Sequence, residues 1–132
     1  MSAYHLELVK QVAKELDEII EKVDSSVFCP IMWEDSYALL YALRDAQGRI
    51  DALSEQLEPI YFDDSFWNDS QNKAFVENIE EADKCFIEFS SYFNSIDSVL
   101  EEEGPKEWYD EDYDYLSAQL KKAKQHLDQV LM

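Results

Sequence analysis

Apolar residues recur along this chain at alternating spacings of three and four, in four separate stretches. The first runs Val9, Val12, Leu16, Ile19, Val23 and extends back through His5; the second runs Leu43, Ala46, Ile50, Leu53, Leu57, with Leu39 and Leu40 one turn earlier. The third is the most regular, at Phe75, Ile79, Ala82, Phe86, Phe89, Phe93, Ile96 and Leu100 without a phase error. The fourth runs Tyr109, Tyr113, Leu116, Leu120, Ala123, Leu127 and Val130. Such steps put each set on one narrow stripe of a helix, the pattern of helices that pack through interlocking seams. The period is lost over 24–32, which contains Pro30, and over 58–69, which contains Pro59. It breaks again at 103–106, where Gly104 and Pro105 stand as a helix end followed by a helix start.

The spacing therefore predicts helices over about 3–24, 34–57, 70–102 and 106–131. Short connections make successive helices antiparallel neighbours. The expected fold class is all-α: an antiparallel up-down-up-down four-helix bundle with heptad-type packing, with residues 1–132 forming a single acidic helical-bundle domain. Gly48 interrupts the second stretch at an outward position. There it is expected to be tolerated without a kink, because the seam continues in phase beyond it.

Composition supports this reading. A chain of 132 residues, 46% hydrophobic, with 3 Trp, 8 Tyr and 7 Phe, can enclose one core without disulfide or metal. With 2 Gly and 3 Pro it lacks the punctuation of a strand-rich protein. Residues 1–10 show no basic segment leading into an apolar run, and no window resembles a membrane span, so no signal peptide is expected and the cytoplasm is the default compartment. Cys29 and Cys85 stand apart, without CxxC spacing, and are expected as free thiols.

Several kinds of chemistry fail on spacing. A carboxylate-bridged di-metal centre needs Glu-x-x-His pairs, but three residues before His5 is Ser2 and three before His126 is Ala123. Asp110, Asp112 and Asp114 imitate the opening of a calcium loop, yet Tyr115 and Lys121 occupy the places where that loop needs Gly and a bidentate Glu. His5 falls on a seam and His126 beside one, so neither stands out as an exposed phosphotransfer histidine. GxSxG, Walker A, GxGxxG, HExxH and cysteine-based zinc patterns are all missing. The expectation is a protein that is not an enzyme and takes no cofactor.

Charge changes the picture most. Eleven Lys+Arg against 30 Asp+Glu give a net charge of −19. Such a body is repelled by nucleic acid and by anionic membrane and attracted to basic protein surfaces. Residues 70–103 hold the largest excess, nine acids to two bases. Around the last turn connection, Glu101, Glu102, Glu103, Glu107, Asp110, Glu111, Asp112 and Asp114 face a single base, Lys106, with Trp108 interleaved. Acids at the start of the fourth helix complement its dipole and outward heptad positions are normally charged, so an ordinary solvated face is one reading. Glu101, Glu102 and Glu103 oppose the dipole at the end of the third helix, a local cost that is the argument for the other, a recognition surface. A second candidate is the middle segment, where Tyr61, Phe62 and Trp67 lie among Asp63, Asp64 and Asp69. It forms either an apolar plug for one end of the molecule or an aromatic anchor rimmed by acids.

Three functions compete. The first is an inhibitor of a basic, nucleic-acid-handling protein that offers carboxylates in place of DNA phosphates, in the manner of anti-restriction and anti-nuclease proteins. Nineteen net charges over a helix of roughly 38 Å approach the duplex density of one per about 1.7 Å. The second is an immunity protein or antitoxin neutralising one cognate basic toxin. The third is a helical adaptor or secretion chaperone, for which acidity serves solubility alone. The expected partner is a basic protein surface (nuclease, DNA-binding protein or toxin), bound by a monomer or homodimer, with no direct nucleic-acid or membrane contact.

Overall fold

The computed structural model describes residues 3–26, 33–103 and 111–132, and the side chains within 3–26, 40–97 and 111–132. The chain is all-α, with no strand among the described residues. In chain order the elements are α1 (Ala3–Ser25), α2 (Trp33–Gln56), the one-turn helices α3 (Glu58–Tyr61) and α4 (Asp64–Trp67), a 3-10 turn (Ser70–Asn72), α5 (Lys73–Glu103) and α6 (Glu111–Leu131).

The four stripes seen in the sequence make one core. Val9, Val12 and Leu16 of α1, Leu43, Ile50 and Leu53 of α2, Ile79, Phe89 and Phe93 of α5, and Leu116 and Leu127 of α6 are all fully enclosed. The stripe works because steps of three and four track the 3.6-residue turn, so one edge of each helix sheds water and the opposite edge keeps it. Cys85 is a free thiol within this core, and burial raises its pKa. Cys29 lies outside the described residues.

Side-chain pairs give the direction of each contact. Arg44, Gln47, Asp51 and Ser54 of α2 meet Asp97, Asn94, Ser90 and Asp83 of α5, rising numbers against falling ones. Lys22 and Glu18 of α1 meet Asp45 and Arg49 of α2 in the same opposed sense. Glu88 and Asn78 of α5 meet Tyr115 and His126 of α6, and Asp24 and Asp17 of α1 meet Lys121 and Lys124 of α6. All four pairings are antiparallel.

Two boundaries differ from the spacing. The helix expected from residue 70 begins at Lys73, because Asp69 accepts the Gln71 N–H at 2.9 Å and winds Ser70–Asn72 more tightly. The stretch 58–69, expected as an aperiodic connection, is largely helical. Pro59 sits in the first turn of α3, where a missing N–H costs nothing. Asp63 then caps α4 by accepting the Phe66 N–H at 3.2 Å. The start expected at 106 lies outside the described residues; α6 runs from Glu111.

Gly48 is exposed in α2, and a Cβ added to it would meet nothing within 4 Å. Gly48→Ala is therefore expected to raise the free energy of unfolding by about 0.5–1 kcal/mol, read as a higher urea midpoint with an unchanged slope. A lower midpoint would mean that the helix bends there.

Candidate carboxylate interface

Cations and acids are distributed unequally over the seams between helices. Both seams of α1 are closed by ion pairs: Lys22–Asp45 at 3.1 Å and Arg49–Glu18 at 3.5 Å toward α2, Lys121–Asp24 at 3.4 Å and Lys124–Asp17 at 3.5 Å toward α6. Exposed pairs of this kind add little stability, yet they locate where charge is cancelled. The seams of α5 differ. Among the described residues only Arg44–Asp97, at 2.9 Å, joins α5 to a neighbouring helix by an ion pair. The lysines of α5 bond within their own helix, Lys73 to Glu77 and Lys84 to Glu81.

Elsewhere along the seams of α5, four acids take neutral donors. The Ser90 hydroxyl donates to Asp51 at 2.8 Å and the Ser54 hydroxyl donates to Asp83 at 2.7 Å, across the α2–α5 seam. On the other side, the Tyr92 hydroxyl donates to Asp112 and the Tyr115 hydroxyl to Glu88, while the two tyrosine rings pack at 4.4 Å between centroids. A hydroxyl donor orients a carboxylate without cancelling its charge. Asp51 of α2, Asp83 and Glu88 of α5 and Asp112 of α6 are thus four fixed negative groups along the two seams of α5.

These bonds also set a pH limit. The bond to Asp112, with burial and the nearby acids, pushes Tyr92 up to about 12; burial first, then the bond to Asp24, pushes Tyr113 up to about 12. A tyrosine whose pKa is higher folded than unfolded adds stability that is complete below about pH 10 and lost as pH rises through the folded value. The melting temperature is expected to drop between pH 10 and 12, and Tyr92→Phe with Tyr113→Phe should flatten that drop. An unchanged slope in circular-dichroism melts of the double variant would show that other groups govern alkaline unfolding.

At the opposite end of these helices, the middle segment is a plug built on Asp63. His5 is buried, 4% exposed, and its Nε2 lies 2.8 Å from Asp63 Oδ2. Its ring meets Phe66 edge-on at 4.7 Å, and Phe66 meets Phe75 at 5.0 Å. Ile60 and Phe66 are buried, while Tyr61 and Trp67 are half-buried and pack on each other at 4.8 Å. Burial, followed by the charge of Asp83, raises the Tyr61 pKa. The bond from His5 holds the Asp63 carboxyl below the usual carboxylate range. Asp63→Ala removes both the cap of α4 and the tie to α1. It is expected to lower the melting temperature at pH 7 and to have less effect as pH falls through the Asp63 pKa, where the wild type loses the same interaction. An equal effect at pH 7 and pH 3 would exclude this role.

The residues singled out from the sequence fare unequally. Glu101, Glu102 and Glu103 occupy the last turn of α5, with side chains outside those described; Glu107, Trp108 and Asp110 also lie outside the described residues. Glu111, Asp112 and Asp114 stand in the first turn of α6, and of these Asp112 is tied to α5. Tyr61 and Trp67 belong to the plug, and Phe62 is the exposed member of that segment, at 78%. Asp51, Asp83 and Glu88 escaped notice. For Asp51 the signal is a polar row at steps of three and four beside the apolar one, Arg44, Gln47, Asp51 and Ser54 on α2; on α5 Ser90, Asn94 and Asp97 form a like row with Asp83 seven residues earlier, and Glu88 lies outside it.

No protein-family model, curated protein or solved structure matches this chain. Among the described residues, no group of three or more His, Cys, Asp or Glu is arranged to hold a metal ion, and no helix is long and apolar enough to cross a membrane.

Proposed function

We propose that the four long helices close into an up-down-up-down bundle that acts as a cytoplasmic, non-enzymatic inhibitor, occupying the nucleic-acid-binding surface of a basic protein with its own carboxylates. The observation that carries this reading is the unequal cancellation of charge. Among the described residues four inter-helix ion pairs line α1 and one lines α5, whereas Asp51, Asp83, Glu88 and Asp112 are held in place by serine and tyrosine hydroxyls, which do not cancel their charge. Fixed acceptors lose less entropy on meeting a lysine or arginine than mobile ones do, so they favour affinity and specific geometry together. With a net charge of −19 behind them, they also draw a basic partner in from a distance.

The test is capture from the native host at low and high salt, followed by competition with duplex DNA. The reading requires a partner that is basic, released by salt and displaced by DNA. A partner that is neither basic nor displaced by salt would refute it.

A second reading, neutralisation of a single cognate toxin, draws on Phe62, an exposed apolar group among acids. The two readings differ in range: a phosphate mimic competes with DNA on several unrelated binders, a toxin antidote on one.

A further inference from the structure

We infer that Phe62 is an apolar anchor for a basic partner, seating in an apolar depression whose surrounding surface is cationic; the inference rests on the basic-partner reading above. Among the described residues of the helical body, Phe62 is the most exposed large apolar side chain, at 78%. Its backbone is nevertheless firmly held. The Phe62 N–H donates to the Glu58 carbonyl at 3.0 Å, and the Asp63 N–H donates to the Ile60 carbonyl at 3.3 Å. The next residue, Asp63, is bound on two sides, by His5 of α1 and by the Phe66 N–H.

The side chain is therefore presented from a braced corner between α3 and α4, while its neighbours Ile60 and Phe66 point into the core. A polar residue at position 62 would cost the fold nothing, because the ring buries little surface in it. Exposure of an aromatic ring without a folding gain, on backbone already immobilised, is the arrangement of a binding anchor: little entropy remains to be lost when it docks.

Charge complementarity identifies the occupant. Glu58 and Asp64 flank Phe62, both exposed and with no ion-pair partner among the described residues, and the charged-group partner of Asp63 beside it is His5. An apolar pocket with acidic surroundings would be repelled by this rim. A pocket bordered by lysine or arginine would be drawn to it, and the ring would then add to affinity what the acids supply in approach rate.

The experiment uses the full chain and two labelled peptides: an amphipathic lysine–leucine peptide, and one of equal charge with serine in place of leucine. Fluorescence anisotropy at low salt is expected to show that the leucine peptide binds the wild type at least about tenfold more tightly than the serine peptide. In Phe62→Ser that preference should vanish while the serine peptide binds as before, with an unchanged melting temperature. In Ile87→Ser, which removes another exposed apolar residue (57%) from a different face, the preference should persist. A preference that survives Phe62→Ser, or is missing from the wild type, overturns the anchor and leaves the electrostatic reading intact if the serine peptide still binds in a salt-dependent way. Failure of both peptides to bind at low salt overturns the anchor and the electrostatic reading together.

Discussion

Phe89→Ala is expected to lower the free energy of unfolding by about 3–5 kcal/mol, enough to leave a large unfolded fraction at moderate temperature. Phe89 is fully buried midway along α5, stacked against Phe93 at 6.5 Å, in the helix that contacts both α2 and α6. Removing the ring loses its transfer free energy and leaves a cavity that three packed helices cannot all close. The loss falls on a molecule already strained by like charge: 30 acids face 11 bases, and this repulsion must be offset by the same core. Added salt should therefore raise the melting temperature of the variant and of the wild type alike, since screening weakens repulsion more than it weakens the few exposed ion pairs. Urea unfolding at low and moderate salt measures both effects. A loss below about 1 kcal/mol would mean that Phe89 is not part of a close-packed interior.

The second large effect concerns binding. Converting Asp51 and Asp83 to Asn, Asp112 to Asn and Glu88 to Gln keeps an oxygen acceptor for each serine or tyrosine donor and removes four charges from −19. Converting Glu7, Asp17, Glu18 and Glu21 of α1 to their amides also removes four charges, from a helix whose seams are lined by ion pairs. If the α5 edges meet the partner, the first variant should associate with it at least about tenfold more slowly at low salt. The second should change by less than about threefold, because only long-range attraction is reduced. Stopped-flow association across a salt series distinguishes the two. Equal slowing in both variants would leave net charge, with no preferred face, as the only determinant.

Much of the architecture is legible in the sequence. The third stripe, from Phe75 to Phe93, appears in the structure as the spine of α5 with every step buried. Leu53, Leu57 and Ile60 show where reading by period alone went short: the stripe continues in phase through the proline, since Pro59 sits in a first helical turn that has no need of its N–H. His5 was readable as a seam residue, but not as the partner of Asp63. The acidic candidates near 101–114 were found by counting charge along the chain, and a count of that kind cannot distinguish a cancelled carboxylate from an uncancelled one.

Helix positions, the buried stripe and the excess of acid follow from the order of residues alone, because a helical side chain's direction depends only on its index within a turn and net charge on no geometry at all. Which carboxylates meet a hydroxyl, a ring nitrogen or a cation is settled by folding. The donors that meet them come from other helices, 39 residues away for Ser90 and Asp51 and 58 for His5 and Asp63. A bond of about 3 Å between such distant positions exists only once the apolar stripes have packed and brought their polar edges together.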